Sequence, residues 1–304
     1  MAMTKTNLPR VSIGLPVYNG ERYLAETIEA IRAQTFSDFE LIISDNASTD
    51  RTEEICRSFA SRDQRVRYVR NEQNVGGAEN FRTVQRLAKG EYFRWATYDD
   101  LIAPEMVARC VEVLDREPSV ILAYAKSRLI DANGVFLSFY DDGLDLRFPR
   151  PSDRFMMFLQ HFGLGNALYG LIRASILERV RIRASHVALD NVFLSELSLH
   201  GRFWEIQDVL FSRRIHDGAF SRATTSEQLS VWYAGPARLR VSMMAWRIYL
   251  RYLLAAVRAP VPLNEKTRIL AFLARWGIWG RTELARELVQ GAKAVLPRLR
   301  RDRA

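Results

Sequence analysis

Val11, Ile13 and Leu15 alternate along the chain and stop at Pro16-Val17-Tyr18-Asn19-Gly20, the pattern of a strand running into a turn. Leu24, Ile28 and Ile31 then recur at helical spacing. Phe39 to Ser44 and Val66 to Val69 read as further strands, and Ile55 with Phe59 mark the buried side of a helix between them. Asp50 and Glu53 stand where a capping pair would open that helix. Asn74-Val75-Gly76-Gly77 turns the chain into a helix carrying Phe81 and Val84. An aromatic strand from Tyr92 to Ala96 follows, ending on Asp99-Asp100 just before Pro104 starts a new helical pattern through Met106, Cys110 and Leu114. Strand alternating with helix in this way predicts an α/β protein with a mostly parallel, Rossmann-like sheet flanked by helices.

After Ser119 the rhythm changes. Ile121 to Ala125 and Val135 to Phe139 predict two strands joined at Asp131-Ala132-Asn133-Gly134. Phe155, Phe158 and Leu159 mark a short helix, Gly163 to Gly170 a turn, and Asp190-Asn191 precede a helix with Leu194 and Leu197. Phe203 to Phe211 is a final strand, followed by Arg213-Arg214-Ile215-His216.

In a parallel sheet the strand C-termini share one edge, so Tyr18, Asp45 and Asp99 should lie together where such sheets bind ligands. Neither GxGxxG nor GxxxxGK[ST] follows the first strand, so no glycine-rich phosphate cradle is available. A diphosphate bound here would need a cation, and paired carboxylates on a turn suit one. Taken in isolation, Asp99 and Asp100 also read as residues capping the next helix.

Composition narrows the class. The chain has 304 residues and two cysteines, Cys56 and Cys110, both within helical patterns, which predicts reduced core thiols in a cytoplasmic protein. Met1 to Arg10 has no apolar run, and no secretory signal or membrane span is expected. Charge is uneven: residues 231–304 hold fifteen Lys/Arg against four Asp/Glu, whereas the chain as a whole is +9. That same region holds four of the six tryptophans.

Several short motifs together resemble family 2 glycosyltransferases of the GT-A fold. They are Pro16-Val17-Tyr18-Asn19, Ile43-Ser44-Asp45-Asn46-Ala47-Ser48-Thr49-Asp50, Thr97-Tyr98-Asp99-Asp100, Asp190 eleven residues ahead of Gly201, and Arg214-Ile215-His216 followed by Ser221. The resemblance covers about residues 10–221 and departs at the DxD-type motif, whose first position here is Thr97 or Tyr98. It implies an inverting hexosyltransferase-type enzyme using Mn2+ or Mg2+ and a nucleotide-diphosphate sugar, with a UDP-sugar as the first expectation. On this view Asp190 is the general base, and Asp99, Asp100 and His216 are the metal candidates. Pro16, Tyr18, Asn19, Glu21, Asp45, Asp99 and Arg214 would contact the nucleotide sugar. Turn, cap and surface roles remain open for Asp45, Asp50, Asp190 and His216, and a first-turn carboxylate role for Glu21.

The resemblance also divides the chain. Residues 1–230 would form the glycosyltransferase domain, with 10–118 as the nucleotide-sugar half and 119–230 as the acceptor and catalytic half. Residues 231–304 would form a basic, tryptophan-rich helical appendage. Basic amphipathic helices fit an anionic membrane surface, which would hold the enzyme peripherally at the inner face of a bacterial membrane beside a glycan or lipid-linked acceptor. The alternatives are an appendage packed on the core, an inactive glycosyltransferase-like protein, and a basic module binding nucleic acid or membrane. No zinc, helix-turn-helix or RNP pattern supports nucleic acid, and none is expected as a partner.

Overall fold

Alternation at Val11, Ile13 and Leu15 produces β1 (Val11–Val17), every residue of which is buried in the computed structural model. The structure describes residues 8–180, 189–217 and 243–289. β2 (Phe39–Asp45), β3 (Val66–Arg70) and β4 (Tyr92–Trp95) join β1 in parallel, with α1 (Leu24–Arg32), α2 (Thr52–Arg62) and α3 (Gly77–Leu87) as crossovers. Pro16 is tolerated inside a central strand for a definite reason. Pairing with β4 ends at Gly14–Trp95, so the ring's missing N–H faces a flank that β4 has already left.

Beyond β4 antiparallel strands enter the sheet. β5 (Leu101–Ile102) follows the Asp99-Asp100 turn and α4 (Met106–Arg116) follows β5. Then come β6 (Val120–Ile130), β7 (Phe136–Tyr140), α5 (Pro151–His161), a 3-10 turn (Asn166–Tyr169), β8 (Leu171–Arg173), α6 (Ala174–Leu177), α7 (Leu189–Ser198) and β9 (Arg202–Arg214). The sheet order is β3-β2-β1-β4-β8-β6-β9-β5, with β7 on β6. β8 lies antiparallel between β4 and β6, and β5 lies antiparallel on β9. β6 and β9 pair in parallel again. The sheet is therefore mostly parallel, as expected, with three antiparallel strands, β5, β7 and β8. β7 is the expected hairpin arm; β5 and β8, two and three residues long, are too short to leave a period in the sequence.

Two further boundaries differ from expectation. β9 runs on through Arg214, and Asp190 sits inside the first turn of α7 rather than ahead of it. Asp50 accepts the N–H of Thr52 at 3.0 Å, but Glu53 faces Arg57 and Arg70 instead of closing a capping box. Cys56 and Cys110 are both free and buried.

Apolar side chains form one cluster on each face of the sheet. Val11, Ile13 and Leu15 pack with α1, α2 and α4, while Phe93, Trp95 and Phe203 pack with α5 and α7. The second cluster also takes in the C-terminal helices α8 (Met244–Arg258) and α9 (Leu263–Trp279) through Tyr252, Ile269, Phe272 and Leu273. Burial of side chains this size contributes roughly 1.5–3 kcal/mol each as an upper estimate. Four of them rival the net stability of a whole domain, roughly 5–15 kcal/mol. α8 and α9 therefore belong to the core. Ser221, the expected 230/231 boundary, Trp232 and the apolar stripe beyond 289 lie outside the described residues. Among the described residues, no helix is long and apolar enough to cross a membrane.

Candidate active site

The β4–β5 turn is pinned from α1, where the Thr27 hydroxyl donates to the carbonyls of Tyr98 and Asp100, both at 3.0 Å. Because β5 pairs antiparallel with β9, Leu101 opposite Ser212, the two aspartates come to rest beside the end of β9. Asp100 Oδ1 accepts the backbone N–H of Arg214 at 2.8 Å, and its Oδ2 accepts the Thr97 hydroxyl at 2.6 Å. Burial first, and the adjacent Asp99 charge second, push the Asp100 carboxyl up to about 7. Asp99 turns the other way: its Oδ2 meets His216 Nε2 at 2.9 Å, with both side chains nearly buried.

Arg213 and Arg214 are neighbours on a strand, so their side chains project to opposite faces. Arg214 serves the Asp99 side. Its Nε donates to Asp99 O at 2.8 Å, its Nη2 to Glu26 at 2.7 Å, and its guanidinium lies 4.6 Å from the Tyr23 ring centre. Arg213 serves the other half, with Nη1 donating to Leu164 O at 2.7 Å and Asn166 Oδ1 at 2.6 Å. Its charge holds down the carboxyls of Asp100, Asp142 and Asp190.

Asp190 lies beyond Arg213, against Gly165 of the 163–170 turn. Gly165 has φ +71°, and a Cβ placed there would sit 3.7 Å from Asp190 Oδ2. Burial raises the Asp190 carboxyl above its ordinary value, while its own first-turn N–H groups and Arg213 oppose the rise. Asn191 accepts the Tyr252 hydroxyl at 2.6 Å, so α8 braces the turn that carries Asp190.

At the far side, loops after β1 and β2 are stitched together. Asn19 N–H donates to Ser48 Oγ and its side-chain oxygen accepts Thr49 N–H, both at 2.9 Å. Glu21 accepts Arg51 N–H at 3.0 Å. Asn19 (φ 52°) and Ala47 (φ 60°) are left-handed, a conformation non-glycine residues hold only when neighbours enforce it. Asp45 is fully buried, accepting Ser48 N–H, the Tyr68 hydroxyl and the Arg70 guanidinium. Tyr18, just past the end of β1, is 43% exposed.

The structure thus brings Asp99, Asp100, Arg214 and His216 into one cluster, puts Asp190 against the 163–170 turn that Arg213 holds, and gathers Pro16, Tyr18, Asn19, Glu21 and Asp45 at the β1 and β2 ends. Among the described residues no three His, Cys, Asp or Glu side chains converge as a cation site. Asp99 and His216 are a carboxylate and an imidazole nitrogen facing each other, a donor pair that suits Mn2+ when ligand oxygens and water complete the shell. Arg213 escaped the sequence reading because β9 was taken to end at Phe211; extending period 2 by three residues gives both arginines opposite faces. Arg173 at the end of β8 spends its guanidinium on the carbonyls of Leu114, Glu117 and Val120.

Comparison with known proteins identifies the family and the fold. The family model described as glycosyl transferase family 2 matches residues 12–167. An uncharacterized glycosyltransferase of Rickettsia typhi, RT0329, is 28% identical over 239 residues, covering 75% of this chain and 71% of the relative. Chondroitin synthase of Escherichia coli is 32% identical over 136 residues, which is 44% of this chain and 20% of the synthase. Among solved structures, S. aureus TarS 1-349 in complex with UDP-GlcNAc matches with a TM-score of 0.65 at 18% identity, covering 87% of this chain and 71% of that one. The mannosyltransferase PcManGT from Pyrobaculum calidifontis, in complex with GDP-Man and Mn2+, matches with a TM-score of 0.51 at 19% identity over 95% and 87% of the two chains. At such identities the structural likeness speaks for the fold alone, which is GT-A.

Proposed function

The chain belongs to glycosyl transferase family 2 and is a glycosyltransferase; from that premise we propose that it moves a sugar from a nucleoside-diphosphate donor to an acceptor hydroxyl with inversion. The observation that carries this is a pair of unlike carboxylates: Asp99 faces the His216 imidazole, and Asp190, half-buried in the first turn of α7, lies against the Gly165 turn that Arg213 also holds. The first suits a departing diphosphate and the second a hydroxyl being deprotonated.

Asp99 and His216 would hold the divalent cation, Mn2+ or Mg2+, which when bound supplies Lewis-acid stabilisation of the diphosphate's growing charge. Asp100, with both oxygens committed to Thr97 and Arg214, fixes the turn instead of reaching the ligand. Arg214 holds the Asp99 carbonyl in place and lends positive charge to the diphosphate side.

Asp190 takes the acceptor proton as the new bond forms, a contribution on the order of 10²–10⁴ in rate. Its burial raises its proton affinity, a rise that its own first-turn N–H groups and then the charge of Arg213 oppose. Tyr18 stacks on the base. Asp45 offers an acceptor to a base N–H and Arg70 a donor to the carbonyl beside it, once their mutual contact opens. That edge pattern fits uracil, so a UDP-sugar is the donor favoured here. The acceptor is a glycan or lipid-linked sugar. The basic C-terminal region fits an anionic lipid surface and would keep the enzyme on the cytoplasmic side.

The test is acceptor-free donor turnover over a panel of UDP-, GDP- and dTDP-sugars with Mn2+, read as nucleoside diphosphate released. Turnover confined to UDP-sugars supports the proposal; turnover of none of them, with or without added glycan, counts against it.

A further inference from the structure

Residues 132–140, Ala-Asn-Gly-Val-Phe-Leu-Ser-Phe-Tyr, carry no charge and return along β6 as the outer arm of a hairpin. Val135 is 60% exposed, Phe136 49%, Leu137 51% and Phe139 72%. A strand with one face on a core alternates apolar with polar; here the ladder bulges at Leu137, the Phe136 and Phe139 rings meet at 5.0 Å, and all three side chains are wet. Among the described residues, neither packing nor the usual charged protection of a sheet edge accounts for such a strand.

Its position gives the exposure a purpose. At one end, Arg214 Nη1 reaches the hairpin-turn carbonyls of Asp131 and Ala132 at 3.5 and 3.4 Å while its Nε holds Asp99. At the other, the Tyr140 hydroxyl accepts Leu164 N–H at 2.7 Å, one residue from the Gly165 that lies against Asp190. The apolar arm therefore runs along the mouth of the site from the Asp99 side to the Asp190 side.

We propose that this hairpin is a lipid-contacting finger that seats the mouth of the site on a membrane surface. A second copy of the chain is the less suitable occupant. The four side chains expose on the order of 400 Å² between them, about half of what one partner buries in a standard stable interface. A strand partner would also cover the edge and leave the apolar side chains in water. Lipid covers the side chains. Among the described residues one edge of β7 is satisfied by β6 and the other is not, so the finger stays at the boundary between headgroups and acyl chains, roughly 5–10 Å deep, where water still reaches the backbone. Arg128, exposed on β6 directly opposite Phe139, donates from Nε to Ser212 Oγ at 2.9 Å and puts a positive charge beside the finger, the sign that attracts a headgroup phosphate. The lipid contact stands by itself; that it serves a lipid-linked acceptor rests on the transfer chemistry proposed above.

The experiment is vesicle flotation of the full chain with phosphatidylcholine–phosphatidylglycerol vesicles, comparing wild type with a Phe136→Ser, Leu137→Ser, Phe139→Ser triple variant. Vesicle partitioning should fall at least about tenfold in the variant, since three half-exposed apolar groups leave the lipid. Melting temperature and donor turnover without vesicles should be unchanged, so failure of the lipid contact is distinguishable from failure of the enzymology. As a second arm, Phe139→Cys carrying an environment-sensitive NBD label should brighten and shift to the blue on adding vesicles, Cys56 and Cys110 being buried. Flotation unchanged by the triple substitution, no flotation of wild type, or a label that stays in water would overturn the proposal. So would conversion of a dimer to a monomer by the triple substitution in light scattering, which would assign the edge to a second copy.

Discussion

Replacing Asp190 with asparagine keeps shape and removes only the ability to take a proton. The carboxyl is buried against Gly165, where the amide fits the same space, and Asn191 N–H at 2.9 Å from Oδ1 can still be accepted by the amide oxygen. Loss of general-base help predicts kcat lower by about 10²–10⁴, or roughly 3–5.5 kcal/mol of barrier, with donor KM little changed. Stability should move the other way. Burial is the main cause that raises the Asp190 carboxyl above its unfolded value. The folded state therefore holds a proton more tightly than the unfolded one, and this group makes stability fall as pH rises from about 3.9 through the raised folded value. Asparagine removes that slope, so the variant at neutral pH should melt at or slightly above the wild-type temperature. The assay pairs product-resolved donor turnover across pH with calorimetry. In wild type the acid limb of kcat should lie above the ordinary aspartate range, because activity is lost as the base protonates. A variant retaining activity within about threefold of wild type would refute Asp190 as the base.

Other outcomes follow from the same contacts. Arg213→Met removes the charge that holds down Asp190, so the acid limb should move to higher pH and kcat should fall, without loss of nucleotide affinity in calorimetry. Tyr252→Phe loses the bond to Asn191, costing about 1 kcal/mol of stability by denaturant titration, and should lower kcat more than it raises donor KM. Arg70→Ala leaves Asp45 buried with only the Tyr68 hydroxyl and Ser48 N–H, which should destabilise the fold by about 1–3 kcal/mol and weaken nucleotide binding more than metal binding.

The parallel half of the sheet was legible because each element is long enough to show its period: seven residues in β1 and in β2, eleven in α2 and in α3. Motif order gave the resemblance to the family before any geometry was available. What escaped was short or depended on register. β5 and β8 are set by pairing rather than pattern, and they add antiparallel strands to a mostly parallel sheet. Which aspartate of the 99–100 pair faces outward depends on one backbone N–H at Arg214, which no spacing rule reveals. The C-terminal helices read as a basic appendage because charge is visible in a sequence and the inward face of Tyr252, Phe272 and Leu273 is not separable from any other amphipathic stripe.

The central claim is that a cation shared by Asp99 and His216 carries the diphosphate, since no glycine cradle does so. Isothermal titration of UDP with saturating Mn2+ and then in chelator, for wild type and His216→Ala, tests it directly. UDP should bind wild type at least about tenfold more tightly with Mn2+, and that gain should vanish in His216→Ala. Equal affinity in chelator, or an undiminished metal effect in the variant, would contradict the account.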